Sequence, residues 1–382
     1  ATNPTIISNL EWTKTPMAIF EEYFGAYPFS NEKYGHMEFA VAGAAMEHQT
    51  MSSMNSFAKA TIAHELAHQW FGDKITCGSR NDIWLNEGFA TYLSGLVVEN
   101  LDGNTAFRSW KSGLTANITS QTGGSVYVPE ADISNVNRIF SSRLSYNKGA
   151  MVVNMLRYKL GDTHFFQGMK NYLMDTNLAY KYAQSSDLKY HLETVSGLSL
   201  TEFFNDWGYG QGYPTYQFQV VNLGNNQAKI TVNQSQSHSS VSFFEMPVPL
   251  RLFGTNGQFL DVVLNNTSNN QVFIENVPFT VTSVSFDVEK QLISKNNQVT
   301  LGTDDFVQNA TMRLYPNPTS SQLNLKLPEN LKVDKVIFYN TLGQVISTST
   351  ATSWDVSGFA NGVYLLKVFN TSGVQTFRFI KE

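Results

Sequence analysis

The sequence contains a single cysteine, Cys77, among its 382 residues. An intrachain disulfide needs two cysteines and a thiolate metal site needs several, so the composition excludes both. We interpret Cys77 as a small side chain that fills space beside a helix. A lone cysteine neither indicates nor excludes export from the cell.

Basic residues and long apolar runs are also scarce. Lys and Arg total 26 against 31 Asp and Glu, which gives a net charge of −5 and an isoelectric point near 5.8. This balance offers no positive surface for nucleic acid, and we exclude nucleic acid as a partner. The longest weakly polar run, 37–46, is interrupted by Glu38 and is far shorter than the ~20 residues that span a bilayer. The sequence therefore predicts no transmembrane segment.

The N-terminus lacks the basic and apolar stretches of an export signal. We expect a fragment or a processed product, and of these we favour a sequence that begins within a longer protein. The length predicts about two to four domains. Apolar residues make up 42% and aromatic residues 13% of the chain, as is typical of a globular protein with a substantial core.

The stretch 61–71, TIAHELAHQWF, contains an HExxH motif. On an α-helix His64 and His68 lie about 40° apart on one face, so both imidazoles can bind one metal ion. Zinc in a hydrolytic site takes three protein ligands and leaves a fourth position for water. Glu87 is the candidate third ligand, because eighteen residues after His68 allow one helix to end and an antiparallel helix to begin. The alternative is a buried helix whose histidines donate to backbone carbonyls; the Asn-Glu-Gly at 86–88 favours the metal.

Glu65 is rotated about 100° from His64 on this helix and fits the general base that accepts a proton from the attacking water. At this point the chain resembles the aminopeptidase N family of zinc metallopeptidases, the gluzincins. HELAHQWFGD at 64–73 and WLNEGFATY at 84–92 carry the resemblance, which covers roughly residues 10–295. It implies a thermolysin-like, mostly helical catalytic domain, one Zn²⁺ per chain, and peptide substrates with a free N-terminus.

In that family an edge strand carries a Gly-x-Met-Glu-Asn motif whose glutamate binds the substrate's α-amino group. Ala45, Met46 and Glu47 are the corresponding substrate-binding candidates, whereas Ala44 and His48 replace the first Gly and the last Asn. We expect the strand to pair with the substrate backbone, and the carboxylate at its end to favour an ammonium group. From the residues alone, without the resemblance, Glu47 would be interpreted as an exposed acid at the end of a strand.

Tyr146 precedes a helical stripe of apolar residues in 149–160. In the resembled family a tyrosine in a Tyr-x-Lys-Gly context donates its phenolic proton to the oxyanion, and residues 146–149 match that context. An amide hydrolase needs such a donor because negative charge develops on the carbonyl oxygen. The alternative is an ordinary packed tyrosine, one of 17 in the chain.

Periodicity and composition predict a multidomain α+β fold. Residues 1–11 are expected to be extended, and the Asn-Gly at 256–257 predicts a hairpin. The predicted parts are a mostly helical catalytic domain (1–212), a small β-sandwich (213–297), a polar linker (298–312) and a second small β-sandwich of about seven strands (313–382).

The last part resembles the C-terminal sorting domain of the type nine secretion system of Gram-negative bacteria. YPNPT at 315–319, NTLGQV at 340–345 and NGVYLLKV at 361–368 carry this resemblance. It implies contact with the secretion machinery and a protein that is secreted or held at the outer-membrane surface. The alternative is a generic carbohydrate-binding or stalk module.

The sequence thus favours a zinc aminopeptidase with His64, His68 and Glu87 as metal ligands and with Glu65 and Tyr146 as catalytic residues. Two alternatives stay open. The altered motif around Glu47 is compatible with a zinc endopeptidase, and a surface binding module with a vestigial metal site belongs to another class of protein altogether.

Overall fold

The computed structural model describes residues 3–41, 45–302, 312–327, 332–370 and 373–382. The α-helices of the described residues are α1 (Pro4–Glu11), α2 (Lys14–Phe24), α3 (Lys59–Ala67), α4 (Trp84–Ile118), α5 (Val136–Ile139), α6 (Gly149–Met174), α7 (Ser185–Ser196) and α8 (Thr201–Phe203). Two π-helical segments, Ser142–Lys148 and Phe204–Tyr209, lie directly before α6 and after α8. None of these helices is both long enough and apolar enough to cross a membrane.

Strands dominate the second half of the chain. In chain order the strands are β1 (Gly35–Glu38), β2 (Ala45–Met46), β3 (Met51–Met54), β4 (Ile75–Cys77), β5 (Lys181–Ala183), β6 (Pro214–Gly224), β7 (Gln227–Gln236), β8 (Met246–Phe253), β9 (Phe259–Asn266), β10 (Gln271–Asn276), β11 (Ser283–Phe286), β12 (Gln298–Gly302), β13 (Arg313–Tyr315), β14 (Gln322–Lys326), β15 (Val333–Asn340), β16 (Val345–Ser349), β17 (Ser353–Asp355), β18 (Gly362–Asn370) and β19 (Gly373–Lys381). The prediction of a mixed α+β fold is confirmed.

The first helix corrects a prediction. Residues 4–11 form α1, so the expected extended entry is wrong. The Asn3 side chain accepts a hydrogen bond from the Thr5 N–H at 2.9 Å, and Pro4 occupies the first turn. An Asn cap and an early Pro are strong helix-start features. Asn9 then holds α1 against the body of the protein by donating to the Phe57 carbonyl at 2.9 Å.

The helix α4 bends sharply at Gly103, where the backbone turns to φ 79°. Before the bend, α4 runs antiparallel to α3, because Glu87 lies beside His64 while Ser94 Oγ lies 3.5 Å from the Ala60 carbonyl oxygen. After the bend, the chain folds back across the first half of α4. The predicted antiparallel pair of helices is therefore present.

Residues 214–302 form two facing sheets, with strand orders β10-β7-β6-β12 and β11-β8-β9. The predicted hairpin is confirmed, because Asn256 (φ 57°) and Gly257 (φ 77°) turn the chain between β8 and β9. The linker prediction is wrong over 298–302, since β12 pairs in parallel with β6. This strand is five residues long, lies at the edge of its sheet and is mostly exposed, so its alternating Val299 and Leu301 give only a short signal. Residues 303–311 of the predicted linker lie outside the described residues.

The buried side chains form two separate clusters. One is continuous through the helical region and the first sandwich, from Phe20 to Ile293. The Tyr213 hydroxyl and the Lys295 ammonium both donate to the Thr119 carbonyl, at 3.1 and 2.8 Å, and reinforce this contact. The second cluster lies entirely within the C-terminal part, whose seven described strands form the sheets β13-β14-β17 and β16-β15-β18-β19.

Because the two cores are separate, we expect the C-terminal part to unfold in its own transition, apart from the rest of the chain. Phe338 is 1% exposed and contacts the rings of Trp354, Phe359 and Phe379. Phe338→Ala should lower the unfolding free energy of the C-terminal domain by ~3–5 kcal/mol, because it leaves a cavity in a small core. Scanning calorimetry should show one transition moving and the other unchanged. Leu342→Ala, at an 81% exposed position, is the control. A single transition that moves as a whole would contradict the separation of the two cores.

Candidate metal centre

Helices α3 and α4 bring three predicted ligand atoms together. His64 Nε2 lies 3.2 Å from His68 Nε2 and 3.3 Å from Glu87 Oε2, and His68 Nε2 lies 3.5 Å from the same oxygen. Ligand atoms of a tetrahedral zinc ion, each ~2.0–2.2 Å from the metal, are about 3.3–3.6 Å apart. The donor set and its spacing therefore fit a zinc ion without rearrangement.

A hydrogen bond on the side of the ring away from Nε2 fixes the orientation of His68. Its Nδ1 lies 3.0 Å from the Phe71 carbonyl oxygen, and its side chain is 1% exposed. A hydrogen bond from Nδ1 to a carbonyl leaves the Nε2 lone pair free for a metal. Gly72 makes this turn possible: it adopts φ 151°, and a Cβ there would lie 3.0 Å from the His68 carbonyl oxygen and 3.1 Å from its Nδ1.

The charges of the three ligand side chains are strongly coupled. Burial alone would raise the pKa of Glu87, but the charge of His68 and hydrogen bonds with both imidazoles hold it well below its usual value. Without a metal ion, burial alone would lower the pKa of His68, but the charge of Glu87 outweighs it and raises the pKa to about 10, so a metal that binds there displaces the Nε2 proton. Burial lowers the pKa of His64. The centre therefore keeps a carboxylate charged inside the protein.

Contacts on both sides of Glu87 hold its helix in place. The indole N–H of Trp84 donates to Ser185 Oγ at 3.0 Å, and Ser185 Oγ donates to Asp82 at 2.5 Å. Asn86 Oδ1 accepts a hydrogen bond from the backbone N–H of Cys77 at 3.0 Å. Glu87 thus lies in the first turn of α4, and hydrogen bonds join this turn to two other parts of the chain.

Tyr146 reaches the centre through a contact between two glycines. A Cβ on Gly88 would lie 2.9 Å from the backbone of Gly149, and a Cβ on Gly149 would lie 2.9 Å from the Cα of Gly88. This close approach places the π-helical segment that carries Tyr146 against the start of α4. The Tyr146 ring stacks on His64, with ring centres 5.8 Å apart and planes 11° apart. Burial, together with the charge and hydrogen bonding of Glu87, raises the pKa of Tyr146, so its phenol keeps its proton.

Lys148, two residues after Tyr146, has a structural role. It is 1% exposed, and its ammonium donates to the Gly124 carbonyl at 2.8 Å and to the Gly210 carbonyl at 3.4 Å. Burial, reinforced by the charges of Arg143 and Arg138, lowers its pKa to about 7. The lysine of the Tyr-x-Lys-Gly context therefore anchors the π-helical segment.

Glu65 lies beside the ligand cluster. It is 5% exposed, and burial raises its pKa to about 7, with further upward contributions from the charges of Glu47 and Glu87 and an opposing one from His68. One carboxylate oxygen of Glu47, one of Glu65 and one ring nitrogen of His68 all lie within 4.8 Å of one another. Two carboxyl groups therefore face the same space beside the histidines.

Strand β2 is the described edge of the sheet β1-β3-β2. Ala45 lies on this strand and Glu47 follows it, and both line the cleft in front of the metal ligands. Met46 lies between them, is 45% exposed, and is not among the described residues that line the cleft. The structure thus brings two of the three predicted substrate-binding residues to the cleft. Gly43 and Ala44 lie outside the described residues.

Gln69 is a residue of this site that the sequence did not reveal. It is fully buried and directly follows His68. Its Nε2 donates to the Glu47 carbonyl at 3.2 Å and to Asp73 Oδ2 at 2.6 Å, while its Oε1 accepts from the Thr50 N–H at 2.9 Å. Gln69 therefore ties the hairpin of Glu47 to the end of the histidine helix. An amide side chain gives no sequence signal of such a role.

The cleft has a volume of about 490 Å³. Besides the predicted residues it is lined by five others that sequence reasoning missed: Ala60, Thr61, Thr91, Ser94 and Trp110. The first four follow helical spacing from His64 and Glu87, which is a usable signal. Two imidazoles, a carboxylate ligand and a buried acid around an open cleft are typical of metal-dependent hydrolases.

Comparison with protein families agrees with this class. The model described as the peptidase family M1 domain matches residues 9–207, which is more than half of the chain, and the chain belongs to that family of metallopeptidases. The model described as the secretion system C-terminal sorting domain matches residues 313–382. Both resemblances drawn from the sequence are confirmed.

The similar curated proteins are longer than this chain. Tricorn protease-interacting factor F2 of Thermoplasma volcanium is 31% identical over 270 residues, which cover 65% of this chain and 33% of that protein. "Probable aminopeptidase 2" of Sulfurisphaera tokodaii is 30% identical over 253 residues (62% and 30%). Leucyl aminopeptidase of Saccharolobus solfataricus is 30% identical over 226 residues (56% and 27%). The chain spans about a third or less of the length of these relatives.

The close approach at Gly72 gives a test of metal binding. Gly72→Ala should push the added Cβ against His68 and weaken Zn²⁺ affinity by ~10- to 100-fold, the usual cost of disturbing the group that orients a ligand. Competition with a chromogenic chelator measures the affinity. Gly113→Ala is the control, because Gly113 has open space around it and lies in a helix. Equal Zn²⁺ affinity in the two variants would contradict the proposed orientation of His68.

Proposed function

We propose that this chain is a zinc-dependent aminopeptidase with a thermolysin-like catalytic fold. The observation that carries the proposal is the cluster of His64, His68 and Glu87, whose ligand atoms lie 3.2–3.5 Å apart. Glu65 and Glu47 face the same cleft and supply the two further carboxyl groups that such a reaction uses. Membership of peptidase family M1 and relatives named as aminopeptidases support the reaction class.

The reaction needs a proton acceptor and an oxyanion donor. Zinc, when bound by His64, His68 and Glu87, supplies Lewis acidity and makes a water nucleophilic near neutral pH. Glu65 accepts a proton from the attacking water and passes it to the leaving amine; burial suits it to this role by raising its pKa to about 7. Tyr146 keeps its phenolic proton and donates it in a hydrogen bond to the carbonyl oxygen as negative charge develops there.

Selection of a free N-terminus depends on Glu47. The half-buried Glu47 lines the cleft, and its carboxylate lies close to Glu65 and His68. An ammonium group bound there leaves room for one residue before the ligand cluster, which confines cleavage to the first peptide bond. The described edge of β2 offers backbone groups that pair with an extended peptide.

We also infer the cellular setting from the C-terminal domain. Its match to a secretion sorting domain supports recognition by the type nine secretion machinery. The proposed location is outside the cell or on the outer-membrane surface of a Gram-negative bacterium. There the enzyme would act on extracellular peptides.

The role of Glu65 is tested by Glu65→Gln. Turnover should fall by about 10²–10⁴-fold, because general-base catalysis is lost. Zn²⁺ content should stay at one per chain, because Glu65 is not one of the three ligands. Fluorogenic aminoacyl amides measure turnover, and atomic absorption measures the metal. Glu22→Gln, at an exposed position on α2, is the control. Retained turnover in Glu65→Gln would refute the mechanism.

The role of Glu47 is tested with a peptide and its N-acetylated form. The free peptide should be cleaved after its first residue, and acetylation should abolish cleavage because it removes the ammonium charge. Glu47→Gln should reduce kcat/KM for the free peptide by roughly 10- to 100-fold, the value of a hydrogen bond to a charged group. Glu38→Gln, exposed on β1, is the control. Cleavage of the acetylated peptide would favour the endopeptidase alternative.

A further inference from the structure

The two ends of the cleft lie at opposite ends of α3. At the C-terminal end, Gln69 holds the Glu47 carbonyl at 3.2 Å. At the N-terminal end, Ser94 Oγ lies 3.5 Å from the Ala60 carbonyl oxygen. From Ala60 to the end of α3 at Ala67 the helix advances by about 10 Å at 1.5 Å per residue, and Gln69 follows that end. The metal ligands lie between these ends.

If the chain is an aminopeptidase, as proposed above, this arrangement fixes the direction in which a bound peptide lies in the cleft. The substrate's ammonium group lies at Glu47, and the carbonyl of its first residue lies at the ligand cluster. The second residue must therefore extend away from Glu47, toward Ala60 and Ser94. This part of the cleft receives the side chain that follows the cleaved bond.

The residues that line this end are Ala60, Thr61, Thr91, Ser94 and Trp110. None of the five carries a charge. Four of them are small, and the indole of Trp110 provides the large apolar surface. A charged side chain would lose hydration here without gaining a partner among these residues, whereas an apolar side chain would gain contact with the indole.

The indole is held in place by contacts on two sides, and the residue after it is anchored. It lies against Gly95, where a Cβ would come within 2.4–2.6 Å of three ring carbons, so this contact requires a glycine. It stacks on Phe107, with ring centres 5.6 Å apart and planes 20° apart. The neighbouring Lys111 is 2% exposed and donates to Gln291 Oε1 of the first sandwich at 3.1 Å. The Trp110 indole therefore has a fixed position and forms one side of the cleft.

We propose that Trp110, seated on Gly95, forms a specificity pocket for the residue after the scissile bond and selects peptides whose second residue is large and apolar or aromatic. The pocket acts on the leaving part of the substrate, whereas Glu47 acts on the N-terminus. The two selections are therefore separable by experiment.

The test compares two series of dipeptide amides with the same first residue, one with Phe and one with Gly in the second position. The wild-type enzyme should show a kcat/KM ratio of Phe to Gly of about 10 or more, as expected for filling an apolar pocket. Trp110→Ala should bring this ratio close to 1, and Trp110→Phe should keep most of it. Tyr190→Ala, 65% exposed on α7, is a control that should leave the ratio unchanged.

Gly95→Ala provides a second variant that keeps the tryptophan. Its Cβ should displace the indole, so the ratio should fall although every aromatic side chain is still present. Circular dichroism verifies that each variant is folded. A wild-type ratio near 1, or a ratio that survives both Trp110→Ala and Gly95→Ala, would overturn the pocket while leaving the aminopeptidase intact. Failure of the wild-type enzyme to cleave either series would instead overturn the proposed function and the pocket with it.

Discussion

The rest of the structure depends on one constraint: two imidazole nitrogens and a carboxylate oxygen must lie within 3.5 Å of one another inside the protein. Burying these groups is costly, and the carboxyl groups of Glu47 and Glu65 nearby add negative charge. A divalent cation offsets that cost. The protein must nevertheless hold the two helices in register before the cation contributes, which explains the dense bonding around Gly72 and Trp84.

The same constraint links the candidate metal centre to the proposed oxyanion donor. Glu87 is followed by Gly88, and the π-helical segment with Tyr146 is followed by Gly149. Because neither glycine has a side chain, the two backbone segments approach to a distance at which a Cβ on either glycine would overlap the other segment. One contact thus sets the position of the proposed ligand Glu87 and of the Tyr146 phenol, the proposed oxyanion donor. An error at this crossing would disturb both together.

Local spacing in the sequence predicts part of this site. The four-residue interval of His64 and His68 suffices because both lie on one helix, and Glu87 follows from a simple antiparallel return. Trp110 could not be predicted in this way, because its position depends on the bend at Gly103, which folds α4 back onto Gly95. The edge strand β12 was missed for a related reason: its partner β6 is about 80 residues earlier in the chain, and the strand is only five residues long.

The loop between β11 and β12 of the first sandwich contacts two helices of the part that carries the candidate metal centre. Gln291 accepts from both Lys111 and Asn154, at 3.1 and 3.2 Å, and so joins the returning half of α4 to α6. Lys111 follows Trp110 directly, so its hydrogen bond to this loop anchors the chain one residue after the indole. The two regions also share one continuous core, so the sandwich is packed against the helical part that contains the cleft.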